Sequence, residues 1–309
     1  MVRHLLRRLC GTLLVLLVVS FVIFVALDAT PGDAAEAMVG DTASQEQLDA
    51  LRQEMGLDAP LVPRYLGFLS DLVTRGDLGK SLVSGRNVSQ LLAERLPHTL
   101  LLAFTAAALA TLVGVAVGIA AAVRAGSYLD TLVMGGAALG LAVPTFWSAL
   151  LLVMLFSLRL GWLPVVGAGG PRHLVLPALT LALPTSAVVA RLMRSSVLEE
   201  FSADYVRTAH AKGATPRRVL SHHVLRNSLI PLITLLGLYL GRLLGGAFIV
   251  ETIFAWPGLG RLTVQAIFDR DQPVVLGAAL TVATVYLIIN FVVDLVHAWL
   301  DPRVAHETL

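Results

Sequence analysis

The chain has 309 residues, of which 56% are hydrophobic and 14% are charged, and its mean hydropathy is +0.79. Long charge-free runs at this composition are typical of a protein that has a lipid bilayer as its solvent, and they exclude an ordinary soluble domain. A net charge of +2 excludes a general electrostatic attraction to nucleic acid. The single cysteine, Cys10, excludes an internal disulfide bond, and no Cys/His cluster has the spacing of a zinc site.

Six runs along the chain are free or nearly free of charge, and each is about long enough to cross a ~30 Å hydrocarbon core at about 1.5 Å per residue. They cover residues 9–27, 99–123, 131–158, 174–190, 229–250 and 274–293. These runs predict an all-α integral membrane protein with six transmembrane helices.

The first run follows a basic start that contains Arg3, Arg7 and Arg8. A secretory signal begins in the same way, but its apolar part has only about 7–15 residues. Because the run here is longer, residues 1–27 are interpreted as a retained transmembrane anchor. Cleavage near Ala29 is the alternative.

Prolines mark two of the other runs. Pro144 interrupts the over-long third run and predicts a kink or tilt there. Pro177 and Pro184 lie in the fourth run, where the carbonyl groups that they leave without a donor need protein or water partners. The fourth helix is therefore expected inside the bundle.

The orientation in the membrane follows from the Lys and Arg residues in short connecting segments, which favour the cytoplasmic side. With the N-terminus inside, most of these cations fall on inner segments, and the long segment 28–98 is largely exempt from the rule. The pattern predicts that both termini are cytoplasmic. It divides the chain into an anchor helix (1–27), an outer, periplasmic or extracellular segment (28–98) and a core with five spans (99–309).

A basic stretch, 205–231, lies between the fourth and fifth spans and carries five Lys/Arg, three His and no carboxylate. Its first part is predicted to be a short helix that Ser202 caps, with Asp204 in the first turn. Gly213 stands where a left-handed residue would end that helix.

A second short helix is predicted after Gly213, with Thr215 as its cap and Pro216 at its first position. The second helix has one apolar face, formed by Val219, Leu220, Val224 and Leu225. A passive solvated loop that obeys the charge rule, or touches anionic lipid, is the simpler interpretation. The ordered capping pattern favours a docking surface for a cytoplasmic partner, because a passive loop does not require such a pattern.

The segments RTAHAKG (207–213) and RRVLSHHVLRNSLIP (217–231) resemble the cytoplasmic "EAA" loop of bacterial ABC-importer permeases of the peptide/nickel family. The resemblance extends over nearly the whole chain, through GLDAPLVPRYLGFL, GDLGKSL, ERLPHTL, ARLMRSSVLE, ETIFAWPGLGRLTVQAIFDRDQPVV and DLVHAWLDPR. It is strongest to the first of that family's two sister permeases. His210 stands where the family usually has arginine, and His98 where alanine is usual.

The resemblance implies a type I ABC-importer permease fold with an EAA-type coupling loop at about 199–228. The loop residues that it assigns to coupling with an ATPase are Tyr205, Arg207, Ala209, His210, Lys212, Gly213, Arg217 and Arg218. In such importers this loop inserts into a groove of an ATPase subunit and passes ATP-driven closure to the membrane helices, which alternate between inward- and outward-facing states.

The implied partners are a homologous second permease in a heterodimer, one or two cytoplasmic ATPases, an external substrate-binding protein and membrane lipids, with no nucleic acid. This chain would bind no cofactor or metal and catalyse no reaction, since ATP and Mg belong to the partner ATPase. The expected location is the bacterial inner membrane and the expected substrate a di- or oligopeptide. Nickel or another metal chelate is the alternative within the family, and a self-contained secondary transporter or channel is the alternative outside it.

One motif with a familiar form is rejected. GDLGKS (76–81) ends like a phosphate-binding loop, but Thr74 stands where the full pattern needs glycine. The segment is also predicted on the outer face, away from ATP. A separate ATPase is therefore required.

Arg242 is a single charge deep in the fifth run. A cation at mid-membrane costs at least ~2.5 kcal/mol, so a carboxylate, carbonyl groups or a wet cavity should compensate it. Two interpretations stay open: Arg242 lines the translocation pathway with Gly241 and Gly245, or it forms a structural pair. Gly237 extends the same small-residue stripe, which lets helices approach closely. Asp294 and Asn290, near the end of the sixth run, are expected to make capping or interhelical hydrogen bonds.

Overall fold

The computed structural model describes residues 2–29, 35–36 and 44–300, and the described part of the chain is helical apart from connecting segments and one isolated β-bridge between Lys80 and Asn87. The helices in the first third are α1 (Val2–Asp28), α2 (Gln45–Glu54), α3 (Leu61–Arg75) and α4 (Val88–Val123). The middle of the chain forms α5 (Tyr128–Ala142), α6 (Thr145–Leu152), which a π-helical turn extends over Val153–Arg159, and α7 (Pro171–Phe201). The remainder forms α8 (Asp204–Ala211), α9 (Pro216–Val219), a π-helical turn (Leu220–Val224), α10 (Leu225–Ser228), α11 (Ile230–Ile253), α12 (Leu259–Phe268) and α13 (Gln272–Leu300).

Four of the described helices, α4, α7, α11 and α13, are long and apolar enough to cross a membrane. The bent pair of α5 with the α6 segment would make a fifth span, and α1 adds a shorter apolar stretch, Leu13–Asp28. The all-helical membrane fold is thus confirmed, while the number of six spans and the cytoplasmic location of both termini stay predictions.

The third apolar run is not one kinked helix. It breaks after Ala142, and its two halves meet at 106°. Val143 and Pro144 at the break have extended backbone, with ψ angles of 123° and 140°. Proline lacks an N–H and disfavours a helical residue before it, which explains why the helix ends there. The predicted position of the kink is right, and the structure adds its size, which the sequence did not indicate.

Helix α7 continues through both Pro177 and Pro184. More than half of its most apolar window is buried (56%), a larger share than in α4, α11 or α13. This burial agrees with the prediction that the proline-containing helix lies inside the bundle, where neighbouring groups can satisfy the backbone.

The chain divides into two compact units. The first contains Met1–Thr99 and Pro257–Leu287, and the second contains Leu100–Trp256 and Ile288–Thr308. The anchor, outer-segment and core boundaries predicted from the sequence remain predictions. In the first unit, Val88 packs in a buried cluster with Leu259 and Val275, and a Cβ added at Gly277 would lie 2.6 Å from Val88 Cγ1.

The GDLGKS segment has a structural contact in the first unit. The Ser81 hydroxyl donates to the Asp271 carboxylate, and the backbone N–H of Leu82 donates to the same carboxylate at 3.1 Å. The serine that ends this partial phosphate-binding pattern therefore holds its loop to Asp271.

Candidate functional site

The basic segment is defined here as residues 199–228, from the last turn of α7 to the end of α10, and it lies within the second unit. It folds as the predicted pair of short helical pieces with a turn at Gly213. Two details at its start and in its second half differ from the prediction.

The first difference concerns Ser202, which does not cap α8. Its hydroxyl donates to the carbonyl of Glu199 at 2.7 Å, and the residue forms the C-terminal cap of α7. Ala203 is the N-terminal cap of α8 and makes no side-chain hydrogen bond. The prediction for Ser202 was wrong because α7 runs eleven residues beyond the apolar stretch that ended at Ala190. Asp204 lies in the first turn of α8, as predicted.

The turn at Gly213 is confirmed. Gly213 has a φ of +81°, its N–H donates to the His210 carbonyl at 2.9 Å, and the N–H of Ala214 donates to the Ala209 carbonyl at 3.1 Å. These two bonds form a Schellman motif, which satisfies carbonyl groups at a helix end and needs a left-handed residue at the turn. Glycine has no Cβ penalty in this conformation.

The second piece begins at the predicted place but is not one regular α-helix. Thr215 is the N-cap residue and Pro216 the first helical residue, although the Thr215 hydroxyl makes no capping bond. Leu220–Val224 then forms a π-helical turn before α10. π-helical turns are uncommon in helices and are enriched at functional sites.

The predicted apolar face of this piece packs against the membrane helices. Val219 and Val224 are fully buried, and Leu220 and Leu225 pack on the same cluster. The cluster joins α8 and the second piece to α4, α7 and α11 through Val206, Ala122, Val189, Met193, Val197 and Leu232. Ala209 and Ala214, which flank the Schellman turn, also pack on it. The basic segment is therefore fixed to three apolar helices by a shared core.

A polar contact that the sequence did not indicate ties the two halves of the segment together. The Tyr205 hydroxyl donates to Glu200, and the Asn227 amide donates to the Tyr205 hydroxyl at 3.1 Å. Burial, followed by the hydrogen bond to Glu200, raises the pKa of Tyr205 above its ordinary value of 10.0. Residues 27 positions apart along the chain, Glu200 and Asn227, thus meet at one tyrosine, and no local pattern could have predicted this contact.

The predicted coupling residues with basic side chains lie on the outside of the segment. The exposed side chains are Arg207, His210, Lys212, Arg217 and Arg218. Arg207 approaches Asp204 at 3.6 Å, but the two side chains are 78% and 97% exposed, so water screens this pair. The segment combines a buried apolar face with an exposed basic face, an arrangement suited to binding an acidic partner surface.

A second contact that sequence reasoning missed lies at the start of α5. Arg194 of α7 binds Asp130 with two hydrogen bonds, and the backbone N–H of Gly126 donates to the same carboxylate at 3.0 Å. Asp130 is 4% exposed. This pair joins α5 to the last part of α7, ten residues before α8 begins at Asp204.

The predicted pathway residues are not brought to the basic segment. Arg242 is exposed, with its guanidinium 5.4 Å from the Tyr239 ring centroid. Within the described residues, no carboxylate lies within ion-pair distance of it. A Cβ at Gly237 would meet Val293 at 2.4 Å, whereas a Cβ at Gly245 would meet nothing within 4 Å, and Gly241 is partly buried.

The stripe of glycines therefore has a packed part and an open part. Gly237 serves contact with α13 inside this chain, and Gly245 faces away from the other described residues. Asn290 is partly buried, and the side chain of Asp294 falls outside the described residues.

Taken together, the long apolar helices and the structured basic segment between two of them define the class: a multi-span membrane permease. The chain belongs to the binding-protein-dependent transport system inner membrane component family, whose model matches residues 114–306. The model of the N-terminal part of such membrane components matches residues 1–103. It follows that the chain is a permease subunit of a bacterial ABC importer, located in the inner membrane and not an enzyme, as the sequence predicted.

Proteins of known transport systems, including the following two, are similar to this chain over nearly its full length. The glutathione transport system permease protein GsiC of Salmonella typhimurium strain LT2 is 41% identical over 307 residues, which are 99% of this chain and 100% of that protein. GsiC of Escherichia coli strain K12 is 40% identical over the same lengths.

Solved structures share the fold. An inward-facing MetNI methionine ABC transporter covers 69% of this chain and 97% of its own matched chain, with a TM-score of 0.55 and 18% identity. An amino acid ABC transporter crystallised with histidines covers 70% and 94%, with a TM-score of 0.51 and 18% identity. At this identity the likeness concerns the fold alone.

Proposed function

We propose that this chain pairs with a second, homologous permease to form a pathway for short peptides, and that its basic segment docks on a cytoplasmic ATPase. The observation that carries the docking proposal is the shared core under the basic segment. The segment has few ways to move alone, because Val206, Val219 and Val224 are buried among residues of α4, α7 and α11. Displacement of the segment would therefore displace those helices.

The proposed mechanism is mechanical. ATP-driven closure of the ATPases would push or tilt α8 and the π-helical turn, and the shared core would pass this movement to the ends of three spans. Packed interiors are dense and respond by discrete shifts, so a small movement at the segment can select between two arrangements of the bundle. The exposed cations on the segment, such as Lys212 and Arg217, would give the docking its charge preference.

The orientation is part of the proposal. The basic segment and both termini are placed on the cytoplasmic side, and the stretch 28–98 on the outer side, where a substrate-binding protein would deliver its load. This arrangement is supported by the distribution of Lys and Arg along the chain.

The substrate class is supported by the full-length likeness to permeases of glutathione transport systems. Glutathione is a tripeptide, so we propose that di- and oligopeptides, including tripeptides of this kind, are imported. A metal chelate remains the alternative substrate within the family.

The test is uptake by the assembled transporter in proteoliposomes, with its sister permease, ATPases and binding protein. ATP-dependent accumulation of labelled glutathione or a dipeptide, competed by unlabelled peptide, is the expected result. Accumulation of a nickel chelate with no peptide uptake would replace the proposed substrate. Uptake that persists when the ATPases are left out would instead indicate a secondary transporter.

Arg242 is proposed as a pathway residue that meets the carboxylate of a passing peptide, with Gly241 and Gly245 leaving room beside it. Its support is an exposed guanidinium in an apolar helix, next to Tyr239 and Gly245. Arg242→Met should lower uptake of a free-carboxylate peptide more than uptake of its amidated form, with an unchanged melting temperature of the complex. An equal loss for both peptides with a lower melting temperature would assign Arg242 a structural role.

A further inference from the structure

Only part of the apolar surface of helix α3 packs against other residues of the protein. Its residues Leu61, Tyr65, Phe68 and Leu69 contact a cluster that contains Phe24 and Leu276. Three further apolar residues of the helix are uncovered: Val62, Leu66 and Val73 are 57%, 58% and 81% exposed. At about 100° per residue these three lie within about 40° of one another and about 80° to one side of Tyr65. They form an exposed apolar stripe along the helix.

Contacts of Tyr65 show how far along α1 this helix lies. The Tyr65 hydroxyl donates to the Leu17 carbonyl at 3.1 Å and lies 2.9 Å from the Ser20 hydroxyl. Leu17 precedes the end of α1 at Asp28 by about 16 Å, at about 1.5 Å per residue. The Tyr65 ring packs on Phe21 at 5.2 Å between ring centroids. Helix α3 therefore lies beside the apolar part of α1 and not beyond its end.

Arg64 fixes which way the stripe faces. Its guanidinium binds Asp28 at 2.9 Å and Gln272 at 2.7 Å, which are the last residue of α1 and the first residue of α13. Arg64 lies about 100° from Tyr65 on the side opposite to the stripe. Arg64 points toward Asp28 and Gln272, where α1 ends and α13 begins. The stripe lies on the opposite side of α3, so it points away from these helix ends and toward the apolar middle of α1.

We propose that α3 lies in the membrane interface and that Val62, Leu66 and Val73 contact lipid acyl chains. Amphipathic helices of this kind bury their apolar face about 5–10 Å into the boundary between headgroups and acyl chains. Lipid is the occupant that the structure favours, because α3 lies beside a length of α1 whose own apolar side chains are uncovered. On that helix Phe21, beside Tyr65, is 41% exposed, and Val18 is 50% exposed.

The opposite face of α3 matches this placement. Thr74 is exposed and lies about 180° from Tyr65 and at least about 80° from every residue of the stripe, so it faces away from α1 and to one side of the proposed lipid. The helix thus presents one flank to the protein, one to lipid and one to water, and it would hold the stretch after α1 against the membrane surface.

The test uses nitroxide labels in the assembled transporter in nanodiscs of phosphatidylethanolamine and phosphatidylglycerol. Single cysteines are placed as Leu66→Cys, Thr74→Cys and Val18→Cys in a Cys10→Ser chain, with the other subunits free of reactive cysteine. Collision with oxygen, which concentrates in the hydrocarbon, is compared with collision with a water-soluble nickel complex. The oxygen-to-nickel ratio at Leu66→Cys should be similar to that at Val18→Cys and at least about 5-fold above that at Thr74→Cys.

Two results would overturn the proposal. Free access of the nickel complex to the Leu66→Cys label would place the stripe in water. Protection of that label from both reagents would show that another protein surface, such as the sister permease or the binding protein, covers the stripe instead of lipid.

Discussion

Arg194 and Asp130 form a two-point ion pair, with Nε 2.5 Å from Oδ1 and Nη2 2.7 Å from Oδ2. Such bidentate pairs fix the orientation of both side chains as well as their distance. Here the pair joins the start of α5, which is the first half of the bent span, to the last part of α7. Helix α7 leads directly into the basic segment. Movement transmitted by α7 would therefore reach α5 as well.

The first prediction follows from this pair. Arg194→Met should lower the melting temperature of the complex by about 3 °C or more, because Asp130 would be left buried with fewer partners. Arg191→Met, three residues earlier on the same helix and exposed, is the matched control and should have little effect. The double variant Asp130→Asn with Arg194→Met should lose less melting temperature than the sum of the losses of the two single variants. If the loss in melting temperature of the double variant equals the sum of the two single losses, the ion pair contributes nothing to the stability of the complex.

The Tyr205 contact gives a prediction about pH. Its pKa is raised above 10.0 in the folded protein, so the proton-bound form is favoured by folding. The stability from this group is then fully present below its unfolded pKa and is lost as pH rises through the higher folded pKa. The difference in melting temperature between the native chain and Tyr205→Phe should therefore be constant from about pH 6 to 9 and shrink above about pH 10. A difference that changes strongly around pH 7 would contradict this assignment.

The turn at Gly213 can be tested with two substitutions of different conformational preference. Gly213→Asn should keep coupling, since asparagine visits the left-handed region, whereas Gly213→Val should strain the Schellman turn by about 1–2 kcal/mol. Transport per ATP hydrolysed, measured in proteoliposomes at equal expression, should fall severalfold for Gly213→Val alone. Equal transport by both variants would mean that the turn geometry does not matter for coupling.

The close packing of Gly237 against Val293 predicts that a substitution at one residue can be compensated by a substitution at the other. Gly237→Ala should destabilise the protein, because its Cβ would come within 2.4 Å of the Val293 side chain. The expected loss is about 1–3 kcal/mol. Adding Val293→Ala should restore part of it, and Gly245→Ala, with open space around the new Cβ, should be neutral for folding. Thermal unfolding in detergent compares the three variants with the native chain, and a failed rescue would argue against the contact.

Sequence patterns predicted the features that are local. The left-handed residue at Gly213, the helix start at Pro216 and the buried face with Val219 and Val224 each follow from residues a few positions apart. The assignment of Ser202 failed because a charged stretch after an apolar run can still extend the helix, so the cap position moved.

Other features depend on tertiary contacts. Asp130 and Arg194 are 64 residues apart, and Glu200 meets Asn227 only because the segment folds back on itself. A proline in an apolar run predicts a bend near Pro144 but not its 106° size, which depends on what the two halves pack against. The roles of the coupling cations and of Arg242 stay predictions.

The most direct test of the central claim is site-specific cross-linking from the basic segment to the ATPase. A photoreactive benzoylphenylalanine placed at Lys212, which is exposed beside the Gly213 turn, should cross-link to the ATPase subunit in the assembled transporter, in a yield that changes when ATP binds. The same probe at Ser84, on the predicted outer segment, should give no such product. Cross-linking to the ATPase from Ser84 and not from Lys212 would contradict both the coupling role of the segment and the proposed orientation.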